Sequence, residues 1–129
     1  MTNRIATFSV LVLAVALAMT ALCATQAAAV TEKILHQFNQ LEHGSFLNGI
    51  VPDAQGNLYG TTTYGGAYNH GAVFKLTPNT HGGWTETVLY SFTGGSDGNG
   101  PECGVTLDSA GNIYGTTLLG GAFNDGTVF

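Results

Sequence analysis

Charge is scarce in this sequence, and positive charge is scarcest. Of 129 residues only 9% are charged, with three Lys or Arg against eight Asp or Glu and a net charge of −5. The cations are Arg4, Lys33 and Lys75. So few cations cannot neutralise a run of phosphates, which excludes nucleic acid as a partner. Attraction to an anionic membrane surface is excluded for the same reason. Cysteine is scarce too: Cys23 lies in an apolar leader and Cys103 stands alone. No internal disulfide is expected, so stability must come from packing. Cys103 is read as a small buried residue. Beyond residue 30 no segment sustains the 3.6-residue apolar period of a helix. Glycine is plentiful, at 19 residues.

The first thirty residues differ from the rest. Arg4 precedes an apolar run from Ile5 to about Ala24, and Ala27-Ala28-Ala29 follows. Basic, apolar and small in that order is the layout of a secretory signal peptide. Residues 1–29 are therefore expected to be removed, with the mature chain starting at Val30 in the extracellular space or periplasm. The other reading of this stretch is an uncleaved anchor, because about 20 apolar residues suffice to span a bilayer.

What is present is a duplication. "GIVPDAQGNLYGTTTYGGAYNHGAVF", Gly49 to Phe74, aligns without a gap with "GVTLDSAGNIYGTTLLGGAFNDGTVF", Gly104 to Phe129. More than half of the positions are identical, at an offset of 55 residues. Upstream, "EKILHQF" (Glu32 to Phe38) answers "ETVLYSF" (Glu86 to Phe92) at an offset of 54. Such a period marks a repeat architecture. The units are residues 30–85 and 86–129. The second has no counterpart of "KLTPNTHGGW", so it reads as truncated, and the chain is expected to be a fragment of a longer repeat protein.

Each unit reads as four short strands. "KILHQF" alternates, with Ile34, His36 and Phe38 on one face. "GIVP", "NLYGTT" and "GAVFKLTP" follow, separated by the turn "DAQGN" and the loop "YGGAYNHG". An Asp at the start of such a turn bonds backbone N–H groups two residues on. Tyr59 and Tyr114 are expected as an aromatic plug. Gly60 and Gly115 should admit a close ring or backbone. Gly65-Gly66 and Gly120-Gly121 should turn the chain sharply. The fold expected is all-β: a propeller-like tandem repeat of four-stranded antiparallel units in two copies, open rather than closed.

These motifs carry a resemblance. The pattern D-x-x-G-N-[LI]-Y-G-T-T-x-x-G-G-x-x-x-x-G-x-V-F at Asp53 to Phe74 and Asp108 to Phe129, with "KLTP" at Lys75 to Pro78 and "LYSF-x-G-G-x-D-G" at Leu89 to Gly98, resembles the GloVer-type tandem repeat of secreted bacterial proteins. These are also called choice-of-anchor repeat proteins. The resemblance covers nearly all of the mature chain. It implies a propeller-like β architecture, export, and in many members surface attachment through a C-terminal anchor. It implies no reaction, so no catalytic residue carries over. Members usually string together many units, whereas this sequence has fewer than two.

Chemistry-bearing residues are few. Asp53 and Asp108 occupy equivalent positions, where a hydrolase could set an acid and a base, but both open a D-x-x-G-N turn and read as turn caps. Glu32 and Glu86 read as solvated. Asp97, Asn99 and Glu102 alternate like calcium ligands, without the full loop pattern. His36, His43, His70 and His81 lack zinc-ligand spacing. No cofactor is expected. Sugar stacking is the ligand chemistry best matched, with Tyr64, Tyr68, Asn69, Trp84, Phe123 and Asn124 as candidate contacts in or beside the glycine loops. The function expected is a secreted non-enzymatic β-repeat module with a binding or surface role. Its partners would be an extracellular glycan or protein, with self-association through strand edges. The alternatives are a propeller-type glycan hydrolase or lyase and a carbohydrate-binding module.

Overall fold

The computed structural model describes residues 31–39 and 44–129. The expected leader, Cys23 and His43 lie outside the described residues. Residues 34–129 form one compact unit.

Nine strands and no helix occur among the described residues. β1 (Ser45–Leu47), β2 (Val51–Pro52), β3 (Leu58–Tyr64), β4 (Ala72–Pro78) and β5 (Trp84–Ser91) form one antiparallel sheet. β1 and β2 both pair with the same edge of β3, and β4 and β5 follow in order. β3 is built around Thr61-Thr62-Thr63, whose β-branching suits a pleated surface. β4 begins Ala72-Val73-Phe74, all buried, as a strand covered on both faces must be. β5 half-buries alternate residues from Trp84 to Val88, the signature of one covered face. Its register slips opposite Val73 and Phe74, which pair with Tyr90 and Val88. Leu89 is the extra residue of this β-bulge.

The second copy retraces the first. β6 (Thr106–Leu107) pairs with β7 (Ile113–Tyr114), and β8 (Thr116–Thr117) with β9 (Thr127–Val128). Val51 opposite Tyr59 becomes Thr106 opposite Tyr114, and Thr62 opposite Ala72 becomes Thr117 opposite Thr127. Gly115 lies between β7 and β8, and its N–H and C=O still pair with Phe129 at 3.1 and 3.0 Å. It does so where Gly60 pairs with Phe74. These glycines have the expected job. A methyl group built on Gly60 would lie 2.7 Å from Phe74 Cζ, and one on Gly115 would collide with the Phe129 ring. Gly65 and Gly120 turn the chain with φ of +91° in both copies, a region open to glycine.

The core lies where the copies meet. Val73, Phe92 and Val105 form one buried cluster, with Tyr59, Ile113 and Phe129 against it. Phe92 meets Phe129 edge to face at 5.1 Å, as Phe38 meets Phe74 at 4.8 Å. Gly49 and Gly104, equivalent residues, bring their backbones together. Thr61 Oγ1 donates to the Cys103 carbonyl at 2.8 Å, and Asn48 Nδ2 donates to that of Pro101 at 2.7 Å.

Four expectations are corrected. Residues 32–38 are not a strand; among the described residues no strand pairs with them as β4 pairs with β5. They dock by side chains instead, through Phe38. Glu86 is not solvated. Its side chain is only 3% exposed and receives a 2.7 Å hydrogen bond from His36 Nε2. Cys103 is exposed, not buried. Tyr114 is not a plug but nearly half exposed, and its hydroxyl is used on a turn.

Candidate functional site

Two clusters of polar side chains stand out. The first is the pair of D-x-x-G-N-x-Y turns. Asp53 Oδ1 accepts from the Gln55 and Asn57 backbone N–H groups at 2.9 and 2.8 Å. Its Oδ2 accepts from Asn57 Nδ2 and the Tyr59 hydroxyl at 2.7 and 3.1 Å. Asp108 repeats the set on Ala110, Asn112 and Tyr114 with the same four distances. The Asn57 amide first, and the backbone and Tyr59 donors after it, hold the Asp53 carboxyl below its ordinary pKa. Asn112 does the same for Asp108, whose carboxylate in turn raises the pKa of Tyr114. A cleft of about 510 Å³ separates the two turns, lined by Asp53, Gln55, Tyr59, Leu107, Asp108 and Ser109 among others. A general acid needs its carboxyl pKa raised. Here donors converge on the ionised form and lower it.

The second cluster lies where the first glycine loop leans on β5. Ala67 N–H donates to Ser91 Oγ at 3.1 Å. Asp97 Oδ2 accepts from the Thr93 N–H and the Tyr90 hydroxyl, both at 2.9 Å, and Oδ1 accepts from the Thr93 hydroxyl. These donors, the Thr93 hydroxyl foremost, lower the Asp97 pKa to about 2. Asp97 raises the Tyr90 pKa through the same hydrogen bond, and Tyr68 lies near enough to add to the effect. Tyr68 and Tyr90 are both about half exposed. A cleft of about 470 Å³ opens beside Tyr90, lined also by Phe92, Asp97, Thr127 and Val128 among others.

The candidate contacts separate. Tyr68 lies near Tyr90 but does not line the cleft. Asn69 adjoins it, but its Oδ1 accepts from Gly65 N–H at 3.1 Å and its backbone is left-handed, as are the Asn124 backbone and the bond from Gly120. Tyr64 ends β3 and meets Phe46 edge to face at 5.7 Å. Phe123 is 88% exposed at the tip of the second loop. Trp84 opens β5, roughly 20 Å along the strand from Ser91. Of the alternating oxygens, Asp97 is bound to Thr93 and Tyr90. Asn99 Oδ1 accepts from His70 Nδ1 at 3.2 Å. Glu102 points to solvent. Among the described residues no three His, Cys, Asp or Glu side chains gather as a metal set. Tyr90 was missed because its alternation with Phe92 reads as strand core. Only the "Y-S-F-T-G-G-S-D" spacing, which returns Asp97 to the end of β5, could have shown it.

Duplicated antiparallel units with equivalent registers and equivalent Asp-centred turns define a tandem β-repeat protein. Residues 21–129 match the Gloeobacter/Verrucomicrobia repeat, and the chain belongs to that family. No curated protein and no solved structure matches it.

Proposed function

We propose that this chain is an exported, non-enzymatic repeat module that stacks its units like propeller blades and binds an extracellular glycan on the edge formed by its glycine loops. The carrying observation is the Tyr90–Asp97 pair, an exposed ring hydrogen-bonded to a carboxylate with acceptor capacity left, both lining an open cleft, with the exposed Tyr68 near Tyr90. Rings and a few convergent polar groups are what a ligand site requires. The basic, apolar and A-x-A order of residues 1–29 supports export. The Asp53 and Asp108 turns favour a module over a hydrolase, since both carboxylates are committed to the same local bonds. Binding to oligosaccharides should be measured by calorimetry on wild type, Tyr68→Ala and Tyr90→Phe, with a thermal melt of each. At least a tenfold loss, about 1.4 kcal/mol, is expected with the melting temperature nearly unchanged. Unchanged affinity in both variants would remove the site. Intact mass of secreted material should begin at Val30; retention of residues 1–29 would overturn export.

A further inference from the structure

The turn that presents Asp97 is permissive in itself. It runs from Gly94 to Gly98, and both of these glycines are left-handed, with φ of +81° and +122°. Glycine constrains such a backbone little, so the turn needs support from outside. Its own closure is Gly94 N–H to the Gly98 carbonyl at 3.1 Å and Gly98 N–H to that of Gly95 at 3.3 Å. Support comes from both copies. From the second, Gly121 N–H donates to the Gly95 carbonyl at 3.1 Å, and Thr127 Oγ1 to that of Asp97 at 3.2 Å. From the first comes His70, near the end of the first glycine loop. Its ring lies against Gly94, where a methyl group would stand 2.5 Å from Nε2. Its Nδ1 donates to Asn99 Oδ1 at 3.2 Å, and its carbonyl accepts from Gly100 N–H at 2.9 Å. One residue thus touches the chain where it enters the turn and where it leaves. Among the described residues His70 makes no hydrogen bond to Tyr90 or to Asp97. The equivalent residue of the second copy is Asp125, which is exposed and when ionised has no proton to donate.

We propose that His70 is the positioning residue of the ligand site: bridging the two feet of the turn through Gly94 and its hydrogen bond to Asn99, it keeps the Asp97 carboxylate within reach of the Tyr90 hydroxyl. The proposal rests on the reading of the Tyr90–Asp97 pair as that site. The bonds divide the labour. Asp97 is tied to its own turn by Thr93, through the N–H at 2.9 Å and through the hydroxyl. Those bonds travel with the turn. The 2.9 Å bond from Tyr90 instead crosses from β5 to the turn, so it depends on where the turn stands. Without His70 the carboxylate keeps Thr93 and loses Tyr90. The cleft then lacks its fixed pairing of ring and acceptor, and a ligand must order the turn as it binds, which weakens binding. The first glycine loop therefore acts on the site through one side chain. A change at residue 70 alters affinity without contact to the ligand.

Carbon-13 NMR of the protein expressed from the full sequence tests this. Label at tyrosine Cζ follows the Tyr90 phenol, assigned by its loss in Tyr90→Phe. Label at the aspartate carboxyls follows Asp97, assigned by Asp97→Asn. In wild type Tyr90 should titrate above 10 and Asp97 at about 2. In His70→Ala Tyr90 should fall toward 10 while Asp97 stays low, because Thr93 still holds it. His70→Asn keeps a donor for Asn99 and should leave Tyr90 nearer its wild-type value than the Ala variant does. Tyr90 unmoved in His70→Ala would overturn the proposal. Both groups returning together to ordinary values would overturn it too, since that is local unfolding. So would an Asn variant as displaced as the Ala one. Calorimetry with cellohexaose and chitohexaose as probes adds the affinity. His70→Ala should weaken binding of whichever sugar wild type takes by roughly two- to thirtyfold, and unchanged affinity would sever His70 from the site. If wild type takes neither sugar, the glycan reading fails, while the two titrations still decide whether His70 positions Asp97.

Discussion

At the residue scale the carboxylates decide most. Asp53, Asp97 and Asp108 are all held below the ordinary 3.8, Asp97 at about 2, by donors that vanish on unfolding. A depressed folded-state pKa contributes stability that is complete above the unfolded value and lost as pH falls toward the folded one. Tyr90 and Tyr114 are shifted upward from 10. Their contribution is complete below that value and lost as pH rises past it. The melting temperature should therefore be flat between about pH 5 and pH 9 and fall on both sides. Calorimetry across that range checks it, and Asp97→Asn should flatten the acid limb; an unaltered limb would contradict the assignment. Thr62 offers a test of the opposite kind. It is fully buried, and its Oγ1 has no hydrogen-bond partner among the described residues. An unsatisfied buried hydroxyl costs about 1–3 kcal/mol. Thr62→Val keeps the shape and removes the hydroxyl, so chemical denaturation should show stabilisation by about 1 kcal/mol.

At the element scale the close approach of ring to glycine sets which strands can form. Gly60→Ala would drive a methyl group into the buried Phe74 ring, with the Gly49 carbonyl 3.2 Å away on the other side. Denaturant midpoints should report a loss of about 1–3 kcal/mol. Gly115→Ala meets the less buried Phe129, which can swing aside, and should cost less. Equal losses would mean that the ring contact is not the constraint. The glycine and turn roles were legible because they depend on local geometry repeated in both copies. The same holds for β3, β4 and β5, whose apolar pattern and flanking turns sit in one continuous stretch. What was not legible depends on a neighbour distant in sequence. Residues 32–38 alternate as β5 does, but a strand needs a ladder, and no described strand pairs with them. Glu86 stands near the start of β5 like any solvated acid, and only the arrival of His36 takes it out of water. Cys103 resembles a core residue in composition, yet its position on the seam presents the backbone carbonyl inward and leaves the thiol outside. β1 is a short edge strand carrying Phe46 at φ 57°, with no pattern to announce it. Of the candidate sugar contacts, Tyr68 lies near Tyr90, while Asn69 and Asn124 were claimed by their own loops.

At the scale of the whole molecule, stability is a property of the seam. A repeat chain is nearly one-dimensional, with each unit leaning only on its neighbours, so the coupling between units sets cooperativity. Here one ring stands at the centre of that coupling. Phe92 is 1% exposed, lies in the cluster with Val73 of unit one and Val105 of unit two, and stacks on Phe129. Truncating a buried Phe to Ala removes about 3–5 kcal/mol. A domain of this size holds only about 5–15 kcal/mol in all. Phe92→Ala should therefore lower the stability of both units together, or separate their melting. Hydrogen exchange distinguishes the seam from a local core. Loss of protection in β3 and β4 and in β8 and β9 alike is expected, because Phe92 supports both. A loss confined to the second unit would show that the first folds without its neighbour. The five-stranded sheet would then be an independent domain, and the remaining strands an extension resting on it.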